Sequence, residues 1–474
     1  MNKKSRIFII LRAIFLGLAV VAIAFFVTRS LYHREDAKKD ALRRIRERGY
    51  LIALTDKNTL NYFIYKGEPM GYQLILLESF AKYLGVPLRI IASTHASKLE
   101  YYLQYNAADL IALNLPVSGD GKKLVRYSDP FGETRLVLVQ CKAARTGLPS
   151  VPKVLNSLKD FPDDTVYVSM NPFLAPQYHA FYKKTGKHAI IKEVPDIRQE
   201  DLLNSVSTGK IRFAICQENV AMVYHRYYSN LDISVLAFPL YSYAWGMGLA
   251  SDSLATELNA WLKEYKASGK LKQTYLSYFD NQRIANFMKS EYFSVHGTKL
   301  SPFDEVIREQ SRQVMWDWRL VASLIYEESN FRQGLTSSHR ASGLMQLMPE
   351  TAAKFGIDSA STPSRQIAGG VKYLKYLDKL LPEEITSPVE RIYFVLAAYN
   401  VGLGRVFAAR TKAEKYGKDK NRWNGHVDYY LLHRSKKNPV AKQDTVDSYP
   451  IDYKTEGFVD DIVTRYYHYR NLIK

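Results

Sequence analysis

Two adjacent carboxylic acids, Glu327 and Glu328, close the apolar run VASLIY and are followed by a loop punctuated by serine and glycine. A carboxyl group in that position can give and take a proton during cleavage of a glycosidic bond, because partial desolvation disfavours its charged form and keeps the proton on nearer neutral pH. Trp318, Val321, Leu324, Ile325 and Glu328 recur at three- and four-residue steps, which predicts a helix with Glu328 on its apolar stripe. Glu327 shares another face with Leu320 and Leu324, and periodicity does not separate the two acids. Ile392, Val395, Leu396 and Tyr399 predict a second helix, on which Tyr399 is either a core aromatic or a site residue. Gly402 and Gly404 then either end that helix or let backbone approach a substrate.

The order Glu328-Ser329, Ser337, Gly343-Leu344-Met345-Gln346-Leu347 and Ala398-Tyr399-Asn400, with Gly402 and Gly404, resembles the family 1 lytic transglycosylases, whose fold is goose-type-lysozyme-like. The resemblance implies that Glu328, not Glu327, is the single catalytic acid, and that Ser337, Met345, Gln346, Tyr399 and Asn400 contact substrate. The chemistry it implies uses one carboxyl group twice on the bond from N-acetylmuramic acid to N-acetylglucosamine. The acid protonates the glycosidic oxygen, then accepts the proton of the C6 hydroxyl as that oxygen closes on C1 to leave a 1,6-anhydro end. Two departures stand out. Arg340 occupies a position that is usually glycine in the family, and Lys454-Thr455-Glu456-Gly457-Phe458-Val459 replaces the usual Glu-Thr-x-x-Tyr-Val. A hydrolase on the same fold, and a wall-fragment-binding sensor with weak or no catalysis, are the alternative functions.

The elements that must carry this site belong to a chain of 474 residues, long enough for several domains. Between residues 49 and 280, apolar runs such as Leu51–Leu54, Leu110–Leu113 and Phe213–Cys216 alternate with helical stretches, which predicts an α/β sheet. The segment from Tyr62 to Ile91, AADLIALNLPVS, RYSDPF and YAWGMGLASDSLATELNAWLKEYKASGKLKQTYLSYF resemble the solute-binding proteins of family 3. That resemblance implies two lobes around a ligand crevice, for which Tyr62, Tyr65, Asn114, Ser118 and Gln217 are the candidate lining residues. The run from Pro116 to Lys122 lacks the arginine that grips a ligand carboxylate in amino-acid-binding members, and Gln217 stands where an acid is expected. A muropeptide or amino-acid-like ligand, or none, is the expectation.

The fold class expected is therefore multidomain: an N-terminal membrane helix, a two-lobed periplasmic-binding-protein-like α/β domain, then a mainly α lysozyme-like domain. The boundaries expected are a cytoplasmic terminus at 1–6, a transmembrane anchor or signal segment at 7–27, a linker at 28–48, the solute-binding domain at 49–280, a connector at 281–302 and the transglycosylase domain at 303–474. This order resembles the F type of membrane-bound lytic murein transglycosylases and implies that the first domain regulates the second. Residues 7–27 are apolar except for Arg12 and, at roughly 20 residues, long enough to span a bilayer. Length favours an uncleaved inner-membrane anchor; a signal peptide cut near Ala22-Ile23-Ala24 would instead leave peripheral association with the outer membrane. Either way the catalytic domain is placed in the periplasm of a bacterial envelope. The formal charge of +19 would assist approach to an acidic polymer such as peptidoglycan, and no nucleic-acid motif is present. Cys141 and Cys216 make no disulfide framework, and neither a cofactor nor a catalytic metal is expected.

Overall fold

A computed structural model describes residues 40–93, 99–142, 154–186, 188–279, 286–295, 297–338, 340–358, 360–432 and 453–473, with side chains of the last stretch from 457 onward. The apolar segment 7–27 and the basic stretch around residues 433–437 lie outside them. Among the described residues no helix is long and apolar enough to cross a membrane. The chain divides into two compact units, Met1–Phe63 with Met70–Lys289, and Ile64–Pro69 with Ser290–Lys474.

The first unit is an α/β structure. Helix α1 (Ala41–Arg48) occupies the end of the expected 28–48 linker. It forms because the Asp40 carboxylate caps the Leu42 amide at 3.2 Å, while Gly49 closes it in a left-handed conformation. Its Ala41, Leu42 and Ile45 are buried, so this stretch is packed structure and not a tether. The strands are β1 (Leu51–Thr55), β2 (Phe63–Tyr65), β3 (Glu68–Met70), β4 (Leu88–Ala92), β5 (Leu110–Pro116), β6 (Arg126–Tyr127), β7 (Gly132–Cys141), β8 (Asp164–Ser169), β9 (Ala189–Val194), β10 (Phe213–Gln217) and β11 (Leu231–Met247).

One sheet runs in the order β4-β1-β5-β11-β7-β10-β8-β9, with β6 beside β11. β1 lies parallel to β4 and β5 at one end, and β8 lies parallel to β9 and β10 at the other. Parallel neighbours require crossovers, supplied by helices such as α2 (Tyr72–Leu84) and α3 (Gln199–Ser207), while α4 (Glu218–Tyr227) leads from β10 to β11. The long antiparallel β7 and β11 join the two ends. Each end has its own apolar cluster, one around Leu54, Ile111 and Leu115, the other around Val166, Phe181 and Phe213. Two cores bridged by two strands make two lobes.

The second unit is helical: α5 (Asp304–Ser311), α6 (Trp318–Ser329), α7 (Pro363–Leu380), α8 (Pro388–Val401), α9 (Leu403–Lys415) and α10 (Tyr453–Leu472) are its main elements. The predicted stripe on α6 is observed, with Val321, Leu324 and Ile325 fully buried. Asp317 caps the start of α6 by accepting from the Arg319 amide at 3.0 Å, and Asn330 ends it in a left-handed conformation. Proline in the first turn starts α7 and α8, where its missing N–H costs nothing.

The chain leaves the first unit at Phe63, contributes Ile64–Pro69 to the second and returns at Met70. This six-residue tongue was not foreseen. Its Ile64 amide donates to Ser294 Oγ at 2.8 Å, and its Gly67 carbonyl accepts from Tyr469 Oη at 2.7 Å. Phe293 and Ser294 fall within the expected connector, yet both are fully buried. Gly67 has a φ of +83°, and a Cβ there would lie 2.6 Å from the Tyr326 ring and 2.7 Å from the Phe331 ring. Gly67→Ala is therefore expected to destabilise the protein by about 2 kcal/mol or more, read by denaturant unfolding; an unchanged midpoint would contradict this packing.

Candidate active site

In the second unit, Glu328, Ser337, Gln346, Tyr399 and Asn400 line one cavity of about 360 Å³, together with Ala341, Leu347, Met348, Thr351 and Tyr373. Glu328 is the only carboxylate among these described lining residues. Burial, and secondarily the neighbouring Glu327, push its pKa up to about 8. It therefore holds its proton at neutral pH. Glu327 lies outside the cavity lining and faces Arg465 of α10 at 3.3 Å.

The residue after the acid fixes where α6 ends. Ser329 Oγ lies 3.0 Å from the Ile325 carbonyl on its own helix and 2.8 Å from the Leu344 carbonyl in the Gly343–Leu347 loop. The loop is pinned from the other side by α7, where Gln366 Oε1 accepts from the Leu344 amide at 2.9 Å. Gly343 has a φ of +77°, and a Cβ there would come within 2.4 Å of that same Gln366 oxygen. Gly370 of α7 gives room to the Met345 side chain, whose sulfur would lie 2.1 Å from a Cβ at that position. These glycines are close-approach positions, not solvent turns.

The expected substrate residues divide by what their polar atoms do. Gln346 has a φ of +45°, and its amide nitrogen donates to the Leu335 and Gly343 carbonyls at 2.9 and 2.8 Å. Its donors are thus spent on the loop. Strain of this kind persists only where surrounding bonds over-determine the conformation. Met345 is buried, and its side chain is not among the lining residues. Its carbonyl accepts from Tyr399 Oη at 2.5 Å. Burial first, and then the Glu328 carboxyl, raise the Tyr399 pKa well above its ordinary value, so the phenol stays a donor. Tyr373 packs against Tyr399 at 5.3 Å between ring centroids. Ser337 Oγ accepts from the Ala341 amide at 3.1 Å, while Asn400 is exposed at the mouth. Gly402 joins α8 to α9 with its amide on the Ala398 carbonyl at 2.8 Å, and a Cβ at Gly402 or Gly404 would meet nothing within 4 Å. Tyr373 and Thr351 carried no signal in the sequence. Aromatic and hydroxyl residues on helices are common there for packing alone.

The first unit contains a polar crevice between its lobes, lined among others by Asp56, Asn58, Asn61, Asn114, Arg198, Glu200 and Gln217. Asn114 and Gln217, two of the expected crevice residues, are among these lining residues. Tyr62, Tyr65 and Ser118 are not among the lining residues: Tyr62 is fully buried, Tyr65 belongs to the tongue and bridges to Phe293, and Ser118 Oγ accepts from the Gly121 amide in a turn. The arginine absent from 116–122 and the acid absent at 217 have charged counterparts elsewhere in the crevice, in Arg198 before α3, Glu200 within it and Asp56 after β1. The lobes touch across the crevice, with the Thr59 amide donating to Glu200 at 3.1 Å, Thr59 Oγ1 2.8 Å from Tyr224 Oη, and Gln217 Nε2 donating to the Asn114 carbonyl at 3.3 Å.

Residues 51–281 match the family model for bacterial extracellular solute-binding proteins, family 3, and residues 305–424 match the transglycosylase SLT domain. The two matches follow one another along the chain, a solute-binding region first and an SLT region after it. Over 465 residues it is 28% identical to membrane-bound lytic murein transglycosylase F of Desulfosudis oleivorans, covering 96% of this chain and 97% of that one. The protein of the same name from Pseudomonas fluorescens Pf-5 is 28% identical over 393 residues, covering 81% and 78%. Among solved structures, the P235GK mutant of ArgBP from T. maritima aligns with 51% of this chain and 100% of its own, at 21% identity and a TM-score of 0.43.

Arg340 stands at a φ of +64°, a left-handed backbone that glycine adopts without strain. Arg340→Gly is expected to stabilise the protein by about 0.5 kcal/mol or more, measured as a shift in urea midpoint. Glu200, buried and pushed up to about 7, binds a proton more tightly folded than unfolded. Its contribution to stability is complete below the ordinary value of 4.5 and is lost as pH rises through about 7. Thermal melts across that window should fall with pH in the parent and flatten in Glu200→Gln; parallel curves would refute the assignment.

Proposed function

We propose that this protein is a peptidoglycan lytic transglycosylase, a lyase that cuts the β-1,4 bond from N-acetylmuramic acid to N-acetylglucosamine without water and leaves 1,6-anhydro ends. The observation that carries the reading is the lone cavity carboxyl of Glu328, protonated at neutral pH through burial. The curated relatives named lytic murein transglycosylase and the SLT match support the same reaction class.

Glu328 gives its proton to the departing glycosidic oxygen as positive charge builds on the sugar ring. The resulting carboxylate accepts the proton of the C6 hydroxyl while that oxygen closes on C1. Both reacting atoms belong to one sugar, so the step gains proximity that a free nucleophile would lack. Tyr399 holds the Met345 carbonyl and walls the acid from water, and Asn400 and Ser337 offer polar groups to the glycan. Gln346 shapes the loop. Met345 acts through Tyr399 rather than by touching sugar.

The crevice of the first unit takes a regulatory ligand with hydrogen-bonding and charged groups, a wall fragment or an amino-acid-like compound, facing Asp56, Arg198 and Glu200. The envelope is the place of action, with residues 7–27 as membrane anchor and residues 303–474 on the periplasmic side. An excess of 66 Lys and Arg over 47 Asp and Glu suits approach to an acidic wall.

Purified full-length protein digesting sacculi should release muropeptides lacking one water relative to hydrolysis products, as read by mass spectrometry. Hydrated ends would overturn the reaction type. Glu328→Gln is expected to lower turnover about 100-fold or more. Because the acid must be protonated to act, kcat/KM should fall as pH rises through about 8. A variant with undiminished release would remove Glu328 from the mechanism.

A further inference from the structure

At the end of α6, next to the proposed acid, three carboxylates converge on one guanidinium. Arg465 of α10 lies 3.3 Å from Glu327 and 3.5 Å from Glu68 of the tongue. Its guanidinium also sits 4.1 Å from the centroid of the Tyr326 ring. Glu68 is fixed in turn by a hydrogen bond from Tyr326 Oη, and the adjacent Gly67 by Tyr469. Asp461, one turn earlier on α10, is the third carboxylate, acting on both Arg465 and Glu327. Side-chain exposure is 16% for Arg465 and 25% for Glu327, so their attraction is only partly screened.

The other groups on the packed elements leave this balance intact. His468 of α10 is buried and held neutral, its pKa pushed down to about 3 by burial and then by Arg465. From α5, Asp304 is engaged with the Leu300 and Ser301 amides, and Arg308 stacks on Trp318 at the other end of α6. From α7 and α8 the titratable groups toward Glu328 are the phenols of Tyr373 and Tyr399. Arg465 is thus the cation that these described elements bring to Glu327.

We propose that Glu327 is a positioning residue for the proposed acid: held as an ion by Arg465, it stands as a fixed negative charge beside the Glu328 carboxyl and keeps the proton there until the glycosidic oxygen takes it. The inference rests on the transglycosylase reading above. A neighbouring anion serves both halves of that reaction. It keeps the proton on Glu328 at neutral pH, and it makes the carboxylate left after bond scission a stronger base toward the C6 hydroxyl. Burial, with Asp461 and Glu68, pushes Glu327 upward, and the Arg465 guanidinium opposes that rise. The ion pair at 3.3 Å is what sets Glu327 apart from its neighbour, giving two adjacent acids different partners.

The test is the pH profile of kcat/KM for release of anhydro products by the full-length protein, compared with Glu327→Gln, Glu327→Asp, Arg465→Gln and the double variant Glu327→Gln/Arg465→Gln. Removing the charge in Glu327→Gln should move the alkaline limb down by about one pH unit, while Glu327→Asp, which keeps the charge, should leave the limb near the parent's. Arg465→Gln should shift the limb less in the Glu327→Gln background than in the parent, because its effect passes through that residue. A limb unmoved in Glu327→Gln, or an Arg465→Gln shift equal in both backgrounds, overturns the proposal. Loss of the acid assignment looks different: Glu328→Gln would then retain anhydro-product release, whatever Glu327→Gln does to the profile.

Discussion

The exclusion of water from one carboxyl group, at the end of a helix, is the constraint around which the second unit is arranged. Burial penalises the charged form of Glu328, and the penalty is useful only if the group stays reachable from the cavity. That requires the last turn of α6 and the Gly343–Leu347 loop to be fixed relative to each other. Ser329 does this with one hydroxyl set between the Ile325 and Leu344 carbonyls, and Gln366 holds the same loop from α7. Tyr399 completes the enclosure by closing on the next carbonyl of that loop. Most polar side chains of the motif are therefore committed to building the pocket, which leaves the acid as its reactive group.

The two units surround their buried carboxylates with different partners, and burial raises the pKa in both. In the second, no ion pair reaches Glu328 among the described residues, and it keeps its proton. In the first, Asp56 is surrounded by the amides of Asn58 and Asn61, and Glu200 accepts a backbone N–H from across the crevice. Hydrogen bonds of that kind favour the charged form and oppose the cost of burial. A crevice held shut through a titratable group responds to whatever competes for that group, whether proton or ligand.

Much of this was legible in the residues. The period of α6 and α8 placed Glu328 and Tyr399 on buried stripes, and the alternation of apolar runs gave the strands β1, β5 and β10. Local pattern could not show that Gln346, though it lines the cavity, commits its amide hydrogens to the loop, because that bond is made to the Leu335 carbonyl eleven residues away in the chain. Nor could it choose between Glu327 and Glu328, since the difference is made by Arg465, more than a hundred positions later. Tyr62 and Tyr65 look alike in sequence, yet one is core and the other belongs to a separate unit. The crevice charges Arg198, Glu200 and Asp56 were missed for the same reason: the sheet topology, not spacing, brings them together.

The tongue Ile64–Pro69 makes the catalytic unit discontinuous in the gene. A polypeptide begun at Ser290 would lack Glu68 and the Gly67 carbonyl, and would present Tyr326, Tyr469 and Arg465 to solvent where the intact molecule covers them. During synthesis the small piece emerges first and must wait for the rest, closing a loop that contains nearly all of the other unit. Two halves tied in this way cannot be traded between genes as independent cassettes; each inherits a debt to the other's stretch of coding sequence.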